Sequence, residues 1–128
     1  MAVVLDVLKR ALRMNGVIAE GETPGAAQAD DALITFNGML AGWEGVGIRL
    51  GVPQLALTDT IPLPPSHDDA ITYNLALALA TEYGNDLRPA VVAKADEGMT
   101  ALRSMYSVPP VMLMPPELWA RIRVYRRW

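Results

Sequence analysis

Ser66-His67-Asp68-Asp69-Ala70-Ile71-Thr72-Tyr73-Asn74-Leu75-Ala76-Leu77-Ala78-Leu79-Ala80-Thr81-Glu82-Tyr83-Gly84 reads as a helix that the remaining chain must surround. Ser66 is a candidate N-cap, with Asp69 three residues on completing a capping-box-like pair. Asp68 and Asp69 place negative charge at the positive end of the helix dipole. Gly84 can take the left-handed conformation that closes a helix. Ile71, Leu75, Ala78 and Leu79 mark one face, and Ala76, Leu77 and Ala80 cover most of the other. A helix apolar nearly all round is a buried one. Roughly 18 residues give about 27 Å, the width of a small domain.

The totals fit one domain. The chain has 128 residues, 52% hydrophobic and 20% charged, which argues for a folded core and against disorder. The absence of cysteine excludes disulfides and cysteine-bearing zinc sites. No apolar run is long enough to span a bilayer. The N-terminus reaches Asp6 and Lys9 too soon for a signal sequence. The expectation is a soluble protein kept inside a cell until assembly. Net charge is −3 but unevenly placed. Residues 1–107 carry seven basic and thirteen acidic groups, whereas 108–128 carry Arg121, Arg123, Arg126 and Arg127 against Glu117 alone. An acidic body with a basic tail calls for a partner.

Three more helices are expected. Val4, Leu5, Leu8, Ala11 and Leu12 recur at helical spacing, and Asn15-Gly16 ends that segment. Thr23-Pro24 opens a second helix, Thr as N-cap and Pro in the first turn. Its apolar stripe is Ala29, Ala32, Leu33, Phe36, Met39, Leu40 and Trp43. Leu33, Phe36, Leu40 and Trp43 are therefore core candidates, as are Ile71, Leu75 and Leu79 of the central helix. Arg88-Pro89 opens a fourth helix, with Val92, Ala95, Met99, Leu102 and Tyr106 on one face; Leu102 joins the core list. Between helices two and three, Ile48 to Leu63 has no helical period and three prolines or glycines that confine any strand to an edge. Two short strands and an extended excursion both fit it. The fold class is mainly α: a four-helix bundle with this excursion and an extended C-terminal arm.

Little here carries chemistry. His67 is the single histidine, and a solvated helix start explains it better than a metal site with Asp68 and Asp69, since consecutive helix residues point apart. No Ser-His-Asp set, cysteine nucleophile, carboxylate pair across a cleft or phosphate loop can be assembled. The chain is not read as an enzyme, and no cofactor or metal is expected. The tail is the one stretch the core does not explain. Trp119, Ile122, Val124, Tyr125 and Trp128 interleave with the arginines, as a short helix or as a strand, the alternation slightly favouring the strand. Arginine and tryptophan are enriched among interface hot spots, so Trp119, Arg121, Arg123, Tyr125, Arg126, Arg127 and Trp128 are the candidate docking residues. A nucleic-acid arm is the alternative, in a small DNA-binding accessory protein; the acidic body opposes it. A tail folded back over its own body, base against acid, is a third possibility.

Four stretches in this order resemble one family. They are Ala11-Leu12-Arg13-Met14-Asn15-Gly16-Val17; Asp31 to Trp43 followed by glycines and Ile48; Leu63-Pro64-Pro65; and Ala70 to Ala80 closing in Glu82-Tyr83-Gly84. Across about residues 3–107 the chain resembles the head-to-tail adaptor (connector) proteins of tailed bacteriophages, of the packaged-DNA-stabilisation, tail accessory type. The tail cannot be matched residue by residue. The resemblance implies a structural virion protein at the head-tail neck, present in the host cytoplasm before assembly. It implies a ring of copies of itself, usually twelve-fold, under the portal protein. Such a ring extends the DNA channel, helps retain packaged DNA without sequence-specific contact, and offers a platform to a tail or nozzle protein. No membrane is involved. Residues 1–107 would then be the adaptor domain and 108–128 the docking arm.

Overall fold

The computed structural model describes residues 2–107. Within them the chain is mainly helical: α1 (Val4–Met14), α2 (Ala26–Gly45), α3 (Asp68–Tyr83) and α4 (Pro89–Tyr106), with a single 3₁₀ turn at Pro65–His67. No strand forms among the described residues; one antiparallel bridge joins Val3 to Thr60. None of the described helices is long and apolar enough to cross a membrane.

α3 packs against all three other helices. Ile71, Leu75, Ala76 and Leu79 are fully buried. They share one core with Val4, Leu8, Ala11 and Leu12 of α1, Phe36, Leu40 and Trp43 of α2, and Leu102 of α4. Of the expected core, only Leu33 lies outside: it is half-buried, turned toward the edge where α2 meets the segment 52–59. On α1, Val7 is buried beside the expected positions, whereas Leu5 is only half-buried. On α3, Leu77 reaches the surface and Ala78 is half-buried, because three neighbouring helices do not quite encircle it.

Helix starts differ from the sequence reading by a few residues. α2 begins after Gly25, not at Thr23-Pro24; the Gly25 N–H donates to Gln28 Oε1 at 3.2 Å, and Pro24 is buried against the body. α3 begins at Asp68, because Pro64-Pro65 starts a 3₁₀ turn that takes up Ser66 and His67. Ser66 Oγ therefore bonds His67 Nδ1 at 3.1 Å and caps nothing. Asp69 reaches Arg10 of α1 at 3.2 Å, an exposed pair worth little. The ends follow expectation: Gly84 closes α3 at φ +65°, and Asn15-Gly16 closes α1 with Gly16 at φ +70°.

The chain between α2 and α3 is extended and acts as a cap for α1. No side chain caps α1. Instead the Val4 N–H donates to the Asp59 carbonyl at 3.0 Å, and the Leu5 N–H to the Leu57 carbonyl at 3.1 Å. Backbone oxygens thus satisfy donors that a first helical turn leaves open. The Ile61 N–H donates to Ala2 at 2.9 Å, and Ile61 is fully buried.

Asparagine amides fasten the helices at their crossings. Asn15 Nδ2 donates to the Ala76 carbonyl at 3.0 Å, joining α1 to α3. Asn85 Nδ2 donates to the Asn15 carbonyl at 2.8 Å. Asn74 Nδ2 donates to the Ala95 carbonyl at 3.1 Å, joining α3 to α4. Beside that bond the two backbones come close, since a Cβ placed on Gly98 would lie 2.8 Å from both Cα and Cβ of Ala70.

Gly98→Ala should therefore destabilise the protein. Alanine gains roughly 1 kcal/mol of helix propensity, but pushing α4 off α3 costs about 1–3 kcal/mol and strains the Asn74 bond. Urea unfolding checks this, and a midpoint raised by the substitution would contradict the close approach.

Candidate functional site

Asn37 faces the extended segment from the middle of α2. Its Nδ2 donates to the Leu55 carbonyl at 3.0 Å and its Oδ1 accepts the Leu55 N–H at 3.1 Å. One side chain thus satisfies both backbone groups of a buried residue. Asp59 stiffens the same segment, its carboxylate accepting the Ala56 N–H at 2.8 Å.

Held at this one point, the segment does not close against α2. A groove of about 710 Å³ runs between them, with Leu33, Ile34, Leu40 and Ala41 on one wall and Val52, Pro53 and Leu55 on the other. Ile34 stands at its mouth, 71% exposed. The charged residues lining the groove are Glu44 and Asp59, both acidic. α2 as a whole carries Asp30, Asp31 and Glu44 and no basic residue. On the side of α2 that meets α3, Glu82 accepts the Thr35 hydroxyl at 2.6 Å. There burial raises the Tyr83 phenol above its ordinary value of 10.0, and the Glu82 and Asp31 carboxylates add to the rise.

A second feature lies where α4 ends. His67 is 4% exposed, not the solvated helix start expected from its sequence position. Its Nε2 lies 2.7 Å from the Tyr106 hydroxyl, the two rings edge to face at 5.6 Å between centroids. A polar ring buried at a helix start is satisfied here by a partner 39 residues away. The pair ties the last turn of α4 to the start of α3 and so fixes the place of Ser107, the last described residue. Around Ser107, Ile48, Val46 and Met105 form an apolar depression, the last two 65% and 59% exposed, flanked by Arg49 and Arg103.

The groove offers apolar walls with acidic charge, and the depression beside Ser107 offers apolar side chains with basic charge. Among the described residues no group of three His, Cys, Asp or Glu side chains stands close enough to hold a metal ion. The expected docking residues Trp119, Arg121, Arg123, Tyr125, Arg126, Arg127 and Trp128 lie outside the described residues. Sequence reasoning missed Ile34, Asn37 and the His67–Tyr106 pair. For Ile34 a signal existed, a large aliphatic residue off the buried stripe of α2. For the other two there was none, because their partners are remote in the chain.

Asn37→Ala should open the groove wall. It strands both backbone groups of Leu55, for a loss of about 1–3 kcal/mol. Urea unfolding should show that loss, and hydrogen exchange at the Leu55 amide should speed up while α3 amides stay slow under native conditions. Unchanged exchange at Leu55 would mean that Asn37 does not hold the segment. Compared with known proteins, the chain matches no family model, and no curated protein matches it.

Proposed function

We propose that this chain is a structural virion protein, a subunit of the head-to-tail adaptor ring of a tailed bacteriophage. In this reading residues 1–107 form a four-helix bundle with an extended excursion, and 108–128 form a docking arm. The ring, twelve-fold in the family that the chain resembles, sits under the portal protein, extends the DNA channel, helps retain packaged DNA and presents a platform to a tail or nozzle protein.

The observation that carries the reading is a division of labour along the chain. The four helical faces are complete by Tyr106, and a further segment with Trp119, Tyr125, Trp128 and four arginines follows. Aromatics supply apolar burial, and arginines supply register on acidic groups. Repeated around a ring, modest attachments become strong ones. The six-charge excess of acid over base in residues 1–107 supports passage of DNA without capture, since few phosphates would be neutralised.

Deleting residues 108–128 should leave helical circular dichroism and a cooperative melt, and abolish co-sedimentation with portal rings. Trp119→Ala should weaken attachment at any salt, whereas Arg126→Ala with Arg127→Ala should matter less as salt rises. Truncated chains that still bind portal as tightly would place the attachment elsewhere. Truncation that unfolds the body would make the tail part of the core.

The intact chain should also bind duplex DNA no more tightly than roughly 10⁻⁶ M at physiological salt, the range of non-specific binding. Tighter binding in a gel-shift assay, lost with the tail, would establish the DNA-binding alternative.

A further inference from the structure

We propose that, in the free subunit, residues 117–128 lie in the groove between α2 and the segment 52–59 of the same chain, so that the arm is stored on its own body. This does not rest on the ring reading; it concerns the isolated chain.

Charge complementarity favours this occupant. The groove's charged lining residues, Glu44 and Asp59, are both acidic, and no basic residue lines it. Residues 117–128 carry four arginines against one glutamate, with Leu118, Trp119, Ile122 and Val124 between them. Apolar side chains would cover Ile34, which otherwise stands 71% exposed, while guanidinium groups meet carboxylates.

The order of the sequence matches the order of the surfaces. The chain leaves at Ser107 beside Val46, just past the end of α2, in the depression flanked by Arg49 and Arg103. The next residues, Val108-Pro109-Pro110-Val111-Met112-Leu113-Met114-Pro115-Pro116, are uncharged and apolar. They suit exposed Val46 and Met105, where arginines would be repelled. The basic stretch comes later, and so does the acidic groove.

Reach is sufficient. Ten residues from Ser107 to Glu117 span up to about 33 Å, and α2 from Glu44 back to Ile34 covers about 15 Å. A tether of this length gives an effective concentration of order millimolar, so the chain's own arm outcompetes that of a second copy at micromolar protein.

The test uses the full-length chain with the photo-cross-linking residue p-benzoylphenylalanine at position 34 or 41, both exposed on α2. An equal mixture of unlabelled and ¹⁵N-labelled chains at about 1 μM, far below the tether's effective concentration, is irradiated and mapped by mass spectrometry. The expected adducts fall on residues 117–128, with both halves carrying the same label. Arg121→Glu with Arg123→Glu should lower their yield at least fivefold at low salt. Adducts that join differently labelled chains would assign the groove to a second copy and overturn the proposal. So would adducts elsewhere from both positions, no adduct at all, or a yield indifferent to charge reversal. Because no portal is present, none of these outcomes depends on the ring.

Discussion

Ile71, Leu75 and Leu79 have no access to water, and the other elements lie where they do because those side chains must be covered. Burying one leucine or isoleucine is worth about 1.5–3 kcal/mol, and no single helix can cover α3 on more than one side. α1, α2 and α4 each supply a wall. Where walls meet, polar backbone groups would be sealed from water, and the asparagines answer that need. Asn15 and Asn74 sit at the crossings and donate to carbonyls of the facing helix. The apolar centre thus sets the architecture, and the amides fix its alignment.

The same economy explains the surface. α2 contributes only one face to α3, and its remaining side is left to a segment with no secondary structure of its own. That segment is tied to α2 by the two bonds of Asn37 and to α1 by the carbonyls of Leu57 and Asp59. A wall held at points, not along a ladder, leaves space beside it. The groove follows from how the excursion is attached, and its acidity comes from one carboxylate on each wall, Glu44 of α2 and Asp59 of the segment.

Much of this was legible from residue order. Apolar spacing marked the four helices, and all but one of the eight residues expected in the core lie in it, because burial is what that spacing records; Ile18, Ile48, Leu55 and Ile61, outside the helices, carry no such period. Gly84, Asn15-Gly16 and Arg88-Pro89 marked boundaries through backbone geometry. The misreadings have both local and remote causes. Ser66 belongs to a cap pattern, yet Pro64-Pro65 draws it into a 3₁₀ turn. His67 reads as polar and therefore wet, but Tyr106 pays its desolvation. Leu33 lies on the stripe, yet the stripe is wider than the surface α3 offers. The pairing of Asn37 with Leu55 leaves no mark in hydropathy. The arm could be read only as composition.

The cap on α1 has a consequence for the order of events during synthesis. The acceptors for the Val4 and Leu5 amides come from residues 57 and 59, the partner of Asn15 is Ala76, and the Asn15 carbonyl is bonded by Asn85. Each of these partners is translated more than fifty residues after the group it binds. While the ribosome is still extending the chain, α1 is an amphipathic segment without its wall or its cap. Such non-local closure slows folding and prolongs the exposure of apolar surface. The amino-terminal helix is thus the first made but not the first secured, and a nascent chain halted before residue 57 lacks the cap on its first turn.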